Sequence, residues 1–470
     1  MEEKNIANSR SDRGSIQTCD PVKLRENSAL TREGVSSVAP PAGRAGLAKE
    51  GYKKTKLGWI PQDWETPRID EVFDFLSTNS LSRNQLNYEE EKGVYNIHYG
   101  DIHATYKRPI LDFEIENRVP KINKEIAISN NADYLKDGDL VIADASEDYE
   151  GVGEAIELKN VNDREVISGL HTFAFRDKAN KTAEGFRVYI FRNPLVKKAL
   201  KTIATGSKVY GISKGNLQKF KIVLPTLPEQ QKIATILSTW DSAIAKQEQL
   251  IAAKQEFKKG LMQLLLSGKK RFEGFEGEWE RIKLGDLGEL VGGGTPSTKD
   301  PDFWNGEIPW ISSSDLGQNN LFDLDISRFI SQEAIEKSAT KLIPAHSILI
   351  VSRVGVGKVA INNQDICTSQ DFTSLIPNRG DLIFLGYKIQ SIIGSLISHN
   401  QGTSIKGFTK KSLENLKFKI PLIKEQQRIS SVLSAADKEI GLLQSELARL
   451  QVQKRGLMQR LLTGEVRVKN

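Results

Sequence analysis

The chain reads as an α+β protein, with two mixed α/β domains separated by two long antiparallel helices of coiled-coil character and a pseudo-twofold internal repeat. Three observations predict this. Residues 206–268 and 402–464 align without a gap and are identical at 24 of 63 positions. Both stretches carry apolar residues at alternating spacings of four and three, the period of a seam buried against another helix. Shorter matches precede each stretch in the same order, so the repeat extends into the globular parts.

Residues 1–54 are rich in Ser, Arg, Glu, Ala and Gly, with Pro40-Pro41 and hardly any aromatic residue, and read as a disordered or loose extension. The first domain, residues 55–225, opens on Gly58-Trp59-Ile60-Pro61-Gln62-Asp63-Trp64-Glu65. A central helix takes residues 226–268, with a seam of Ile233, Leu237, Trp240, Ile244, Gln247, Ile251, Lys254, Lys258, Leu261 and Leu265. The second domain, residues 269–421, opens alike on Gly274-Phe275-Glu276-Gly277-Glu278-Trp279. The C-terminal helix takes residues 422–464, with a seam of Ile429, Leu433, Ala436, Ile440, Leu443, Leu447, Leu450, Lys454, Leu457 and Leu461, and 465–470 form a tail. Pro225, Pro228 and Pro421 mark the starts, and Gly268 and Gly464 fall where left-handed caps would end each helix. At about 1.5 Å per residue each helix is roughly 55 Å long. That outruns a domain of about 150 residues, whose radius of gyration is about 15 Å, so the two should pack on each other. About ten residues join Gly268 to Trp279, which sets the second domain at the C-terminal end of helix one and makes the pair antiparallel.

Inside the domains, Tyr95-Asn96-Ile97-His98-Tyr99-Gly100-Asp101-Ile102 matches Pro309-Trp310-Ile311-Ser312-Ser313-Ser314-Asp315-Leu316. Asp139-Leu140-Val141-Ile142 matches Ser347-Ile348-Leu349-Ile350, both strands by their β-branched content. Val152-Gly153-Glu154-Ala155-Ile156 matches Val356-Gly357-Lys358-Val359-Ala360. One helix is predicted from Tyr189 to Ile203 and its counterpart from Phe384 to Ile397. Each leads to a small-residue loop, Thr205 to Gly211 and Gln401 to Gly407. The second half adds Val291-Gly292-Gly293-Gly294-Thr295, read as a turn.

Composition is that of an ordinary folded protein, 39% hydrophobic and 27% charged. Two cysteines, Cys19 and Cys367, exclude a disulfide framework and suit a reducing compartment. No window is apolar enough for a membrane span, Leu382–Ile397 being interrupted by Tyr387-Lys388 and Gln390. A net charge of +6 permits a nucleic-acid partner.

The chain offers little catalytic chemistry. Its histidines, His98, His103, His171, His346 and His399, do not recur at equivalent places and have no ligand spacing with cysteine, so no metal site is expected. Gly355-Val356-Gly357-Lys358 lacks the spacing and the following Ser or Thr of a phosphate loop. Asp144 with Glu157-Leu158-Lys159 has the form of a metal-dependent nuclease, but the matching positions are Ile361, Asn362 and Asn363. Binding chemistry remains. In the two loops Gly206, Ser207, Lys208 and Tyr210, and Thr403, Ser404 and Lys406, combine small residues with cations and suit phosphate contacts. Arg353 and Lys358 flank a glycine turn and could reach bases or phosphates, and Tyr99, Ser312, Ser313 and Gln370 complete the DNA-contact set. Ser213 and Thr409 are read as helix N-caps. Trp64, Trp279 and Trp310 are read as structural.

Taken together, Gly58 to Trp64, Gly293-Gly294-Thr295-Pro296-Ser297 with Ile308-Pro309-Trp310-Ile311, Leu227-Pro228-Glu229-Gln230-Gln231-Lys232-Ile233 and Gly260-Leu261-Met262 give the chain a resemblance. Over residues 51–468 it resembles the specificity subunit of Type I restriction–modification systems. The resemblance implies two target recognition domains, each reading one half of a split asymmetric target in double-stranded DNA. It implies that the helices fix the spacer and dock two methyltransferase subunits, which N6-methylate adenine. It implies that restriction/translocase subunits join, and that S-adenosylmethionine, ATP and Mg²⁺ are used on those other subunits, with no cofactor in this chain. A non-catalytic role and a bacterial or archaeal cytoplasmic location follow, without a membrane partner. The readings set against it are the nuclease on Asp144 and Glu157, and a coiled-coil scaffold without a DNA role.

Overall fold

The computed structural model describes residues 50–89, 92–206, 209–317, 320–399 and 407–468. The expected N-terminal extension falls almost wholly outside them. The chain divides into two compact units, residues up to 233 with 460–470, and residues 234–459.

In the first unit, short β-branched runs build a five-stranded sheet from β1 (Phe73–Leu76), β2 (Ile110–Asp112), β3 (Leu140–Ala143), β4 (Ala155–Lys159) and β5 (Thr172–Asp177). Their spatial order is β1-β5-β3-β4-β2. All neighbours are antiparallel except β2, which joins the edge parallel to β4. Leu140 to Ala143 are buried throughout, as an uninterrupted apolar strand requires. A second sheet sets Tyr95–Ile97 parallel to Val166–Ser168. The helix predicted from Tyr189 to Ile203 is two helices, Arg187–Arg192 and Pro194–Ile203. Pro194 disfavours helical backbone in the residue before it, and Asn193 is extended at φ −62°, ψ 125°. Asn193 caps the second helix through Leu195 N (2.9 Å), and its Nδ2 donates to the Leu462 carbonyl (2.5 Å).

The long helix α1 spans Leu227–Leu265. In the second unit follow β6 (Gly288–Gly292), β7 (Ile348–Val351), β8 (Val359–Ile361) and β9 (Phe372–Pro377), in the order β6-β9-β7-β8, all antiparallel. This repeats β1-β5-β3-β4, and the parallel pair recurs as Ile308–Ile311 beside Ile366–Thr368. The helix expected from Phe384 runs unbroken over Leu382–His399, where no proline interrupts it. The second long helix, α2, spans Ile423–Leu462. Gly293 and Gly294, expected as a turn, instead continue from β6 with their amides donating to the carbonyls of Phe372 (3.2 Å) and Thr368 (2.8 Å), packed so closely that a Cβ would lie 2.1 Å from the Ser369 carbonyl and 2.4 Å from Ala339.

Within this unit α1 and α2 run antiparallel. Lys258 pairs with Asp437 (2.5 Å), Lys254 with Glu439 (2.6 Å) and Asp241 with Lys454 (2.5 Å), while Gln247 Nε2 donates to the Leu443 carbonyl (3.0 Å). Numbers fall along α1 as they rise along α2. Lys258 and Lys454 are equivalent positions of the repeat, as are Asp241 and Asp437, so the pairing is pseudo-twofold about Gln247 and Leu443. The polar seam positions thus carry cross-helix bonds. Of the apolar ones, Leu237, Ile251, Leu265, Ile429, Leu433 and Ile440 are buried, and Trp240, Ile244, Leu261, Leu443, Leu447, Leu450 and Leu457 half-buried. Leu265, Ile429 and Leu433 also enter the core of the second domain beside Leu284, Leu375 and Phe384. Ile233 and Leu461 are buried in the first unit.

Gly268 (φ +75°) and Gly464 (φ +72°) end the helices in the left-handed conformation, as the sequence predicts. Just beyond each, an arginine turns back. Arg271 bonds Glu425 (2.9 and 2.7 Å) and Arg467 bonds Glu229 (2.8 and 2.9 Å), again equivalent pairs, each within its own unit. Trp64 is fully buried and donates to Glu229 (2.8 Å). No described helix is long and apolar enough to cross a membrane.

Candidate nucleic-acid interface

Both domains gather the same loops at the ends of the same strands. In the first, the Asp144 amide donates to the His171 carbonyl (3.0 Å), the Ile212 amide to Asp144 (2.9 Å) and the Gly169 amide to Ile97 (2.9 Å). In the second, Ser352 donates to Asp371 (2.7 Å), Phe408 to Ser352 (2.7 Å) and Ser369 to Ile311 (2.9 Å). These bonds bring the turn after Ile97 or Ile311, the turn after β3 or β7, the turn before β5 or β9, and the segment before α1 or α2 onto one edge of each domain. Tyr210 and Gly211 extend that edge in the first domain by pairing with Ser146 and Ala145.

The turn following Ile97 or Ile311 holds an aspartate clamped by an arginine. Asp101 is bonded by Arg83 (3.0 and 2.8 Å), and Asp315 by Arg328. In Asp315, bonds from Ser312, Ser314 and Arg328 outweigh burial, the largest single influence, and hold the carboxyl below its ordinary range.

The expected contact residues fall into two groups. Tyr99 is half-buried and starts a short helix, its ring 4.7 Å from His98, 6.4 Å from His103 and 5.3 Å from His171. Tyr210 packs edge-on against Tyr149 at 5.1 Å, and Arg353 is exposed beside Val354. Gln370 is exposed and bonded by Thr295, and Ser313 is half-buried. Others have internal work. Lys358 Nζ donates to the carbonyls of Ser313 (3.0 Å) and Leu316 (2.8 Å), so the Gly355 turn is no phosphate loop. Ser312 accepts from Arg328 (2.8 Å) and its amide donates to Asp315 (2.7 Å). Gly206 has φ +139°, and a Cβ would lie 1.9 Å from the Val209 carbonyl, so the turn itself demands glycine there. Ser207, Lys208, Thr403, Ser404 and Lys406 lie outside the described residues. Ser213 and Thr409 cap short helices through Asn216 N and Ser412 N, and Trp310 is buried with its Nε1 on the Gly294 carbonyl (3.0 Å).

The geometry separates the nuclease pair. Glu157 is buried on β4 opposite Leu140 and accepts from the amides of Gly185 (2.5 Å) and Val188 (3.1 Å), while Asp144 lies beyond the far end of β3. Four residues of strand amount to about 13 Å. Burial pushes the Glu157 carboxyl up to about 7, against the pull of the two amides. Asp144 instead meets His171, Oδ1 to Nδ1 at 3.2 Å. Three histidines that share no sequence spacing therefore surround Tyr99. His98 Nδ1 accepts from Gly100 N (3.1 Å), and burial, with Arg83 adding to it, lowers its pKa. His103 Nε2 lies 3.1 Å from the Ala145 carbonyl. His171 escaped sequence reasoning, although it stands beside the counterpart of Gln370 in the repeat. Among the described residues, no group of three or more His, Cys, Asp and Glu side chains could hold a metal.

A family model described as the Type I restriction modification DNA specificity domain matches residues 61–254 and 276–452. The EcoR124I/EcoR124II type I restriction enzyme specificity subunit of Escherichia coli is 29% identical over 389 residues, covering 79% of this chain and 90% of its own. The MjaVIII specificity subunit of Methanocaldococcus jannaschii is 26% identical over 447 residues, 90% of this chain and 97% of its own. A chain from a structure of complex assembly and conformational transition in a type I restriction–modification system superposes with a TM-score of 0.56 at 18% identity. It covers 86% of this chain and 99% of the other.

Proposed function

Since the chain belongs to the Type I restriction–modification DNA specificity family, we propose that each of its domains reads one half of a bipartite, asymmetric target in double-stranded DNA. The observation that carries this reading is the repeated loop edge. The same backbone bonds assemble it twice, Asp144 to His171 and Gly169 to Ile97 in one domain and Ser352 to Asp371 and Ser369 to Ile311 in the other. One frame presenting two unlike sets of side chains suits two readers of different sequences.

A domain reading a few base pairs gains only about 1–3 kcal/mol of discrimination from each. Tethering two on stiff helices makes the second engagement intramolecular. In this proposal the helices hold the unread spacer at fixed length and dock two methyltransferase subunits, and restriction/translocase subunits join the assembly. S-adenosylmethionine, ATP and Mg²⁺ would serve on those subunits, while this chain recognises and does not catalyse. The experiment is co-expression with the methyltransferase subunit and mapping of N6-methyladenine across a genome. A bipartite motif with a fixed gap is expected, and exchanging residues 56–225 for those of a relative should change one half-site alone. A stable complex that methylates no bipartite motif would overturn the proposal.

A further inference from the structure

We propose that His171 reads a base edge for the first domain, with Asp144 and Tyr99 as its positioning residues. The inference deepens the proposed function and rests on it. His171 is half exposed on the loop edge and adopts φ +54°. That left-handed backbone is uncommon outside glycine and is worth asking a function of. The Asp144 carboxylate lies 3.2 Å from Nδ1 and, when ionised, can only accept, so it fixes the ring proton on Nδ1. In the neutral ring Nε2 is then an acceptor, and among the described residues it has no hydrogen-bond partner. Tyr99 packs edge-on at 5.3 Å and limits the ring's orientations. Asp144 and His171 also border a groove of about 660 Å³ shared with Asn79, Ser129 and Phe173, so the ring stands at the rim of an opening.

A fixed acceptor selects among bases. In the major groove adenine N6 and cytosine N4 donate, whereas guanine O6 and thymine O4 accept. His171 therefore favours adenine or cytosine over guanine or thymine at one position of the contacted strand. The equivalent residue in the second domain, Asp371, lies where the turn before β9 makes the same backbone bond, and its partner position is Ser352, so the two domains differ here in chemistry rather than in frame.

The test uses the full chain co-expressed with its methyltransferase subunits, comparing wild type, His171→Asn and Asp144→Asn by methyladenine mapping. Asparagine tolerates the left-handed backbone, so His171→Asn keeps the turn while replacing the fixed ring acceptor by a shorter amide that both donates and accepts. Asp144→Asn supplies an amide that donates as well as accepts, which frees the ring to take either tautomer. Both variants should lose about tenfold discrimination at one and the same base pair. That base pair should lie in the half-site that changes when residues 56–225 are exchanged. An unchanged motif, a loosened position in the other half-site, or loss of all methylation from an assembled complex overturns the role of His171 and leaves the proposed function standing. Absence of a bipartite motif with the wild type overturns the proposed function, and this inference with it.

Discussion

Two equivalent ion pairs in one helix pair allow a prediction with its own control. Lys258 and Asp437 are buried, their side chains 7% and 8% exposed, and Asp437 also accepts from the Tyr387 hydroxyl (2.5 Å). Lys454 and Asp241 are wetter, at 16% and 25%. Replacing Asp437 by alanine takes the carboxylate away from the buried Lys258 ammonium, which lies 5.2 Å from the Tyr387 ring. Removing one partner of a buried pair costs about 3–5 kcal/mol, or about 6–20 °C of Tm for a unit of this size. Asp241→Ala leaves an amine that water can reach and should cost about 1 kcal/mol. The double variant Lys258→Met with Asp437→Leu removes both charges and should recover most of the loss, since a well-packed apolar pair roughly matches a buried ionic one. Recovery stays incomplete because the Tyr387 hydroxyl loses an acceptor. Thermal and urea unfolding of the full chain would measure all three. Equal losses from Asp437→Ala and Asp241→Ala, or a double variant as weak as Asp437→Ala, would refute the reasoning.

Other expectations follow from single groups. Burial pushes the Lys388 amine down to about 8, and its Nζ donates to the Leu266 carbonyl (2.5 Å). Between pH about 8 and 10.5 the unfolded chain binds the extra proton, so wild-type stability should rise across that window relative to Lys388→Met. The gain is at most about 3 kcal/mol, and parallel pH profiles in urea unfolding would contradict it. Gly268→Ala should cost about 1–2 kcal/mol for its left-handed backbone. Gly464→Ala should cost more, because its Cβ would lie 2.3 Å from Pro61 against 3.3 Å from the Trp279 ring at Gly268, and equal Tm losses would sink that comparison. Inserting four residues into α1 adds about 6 Å. Against 3.4 Å per base pair, motif selection from random-spacer DNA should find a spacer longer by about one to two base pairs with both half-sites intact, and an unchanged spacer would count against the proposal that the helices fix its length.

The frame was legible because it is written twice. Leu237, Ile251, Leu433 and Ile440 follow a helical seam that periodicity alone exposes, and Gly268 and Gly464 mark its ends. Leu140 to Ala143 and Ile348 to Val351 announce buried strands by composition. The break at Asn193 was foreshadowed by Pro194, which the repeat with an unbroken partner helix disguised. The reading edge was only half legible. Exposed Arg353 and half-buried Tyr99 could be picked as polar chemistry next to matched strands, but Lys358 and Ser312 look the same in sequence and are committed to carbonyl and carboxylate partners inside the domain. His98, His103 and His171 are joined by tertiary packing around Tyr99, which no linear spacing records.

The repeat also distinguishes what the frame fixes from what it leaves free. The carbonyl of Leu462 is satisfied by Asn193 and its equivalent, Leu266, by Lys388, an amide in one domain and an ammonium in the other. The constraint there is that a buried carbonyl at a helix end needs a donor, and either chemistry meets it. Glu229 and Glu425 keep the same arginine partner, because a buried carboxylate matched to a guanidinium fork leaves fewer solutions. On the loop edge the backbone bonds persist while Asp144 and His171 give way to Ser352 and Asp371. At these two positions the side chains answer to no internal partner shared by both domains, unlike the arginine-clamped aspartates Asp101 and Asp315 beside them. Divergence at these positions on an unchanged backbone is what two independently specified readers, as proposed above, require.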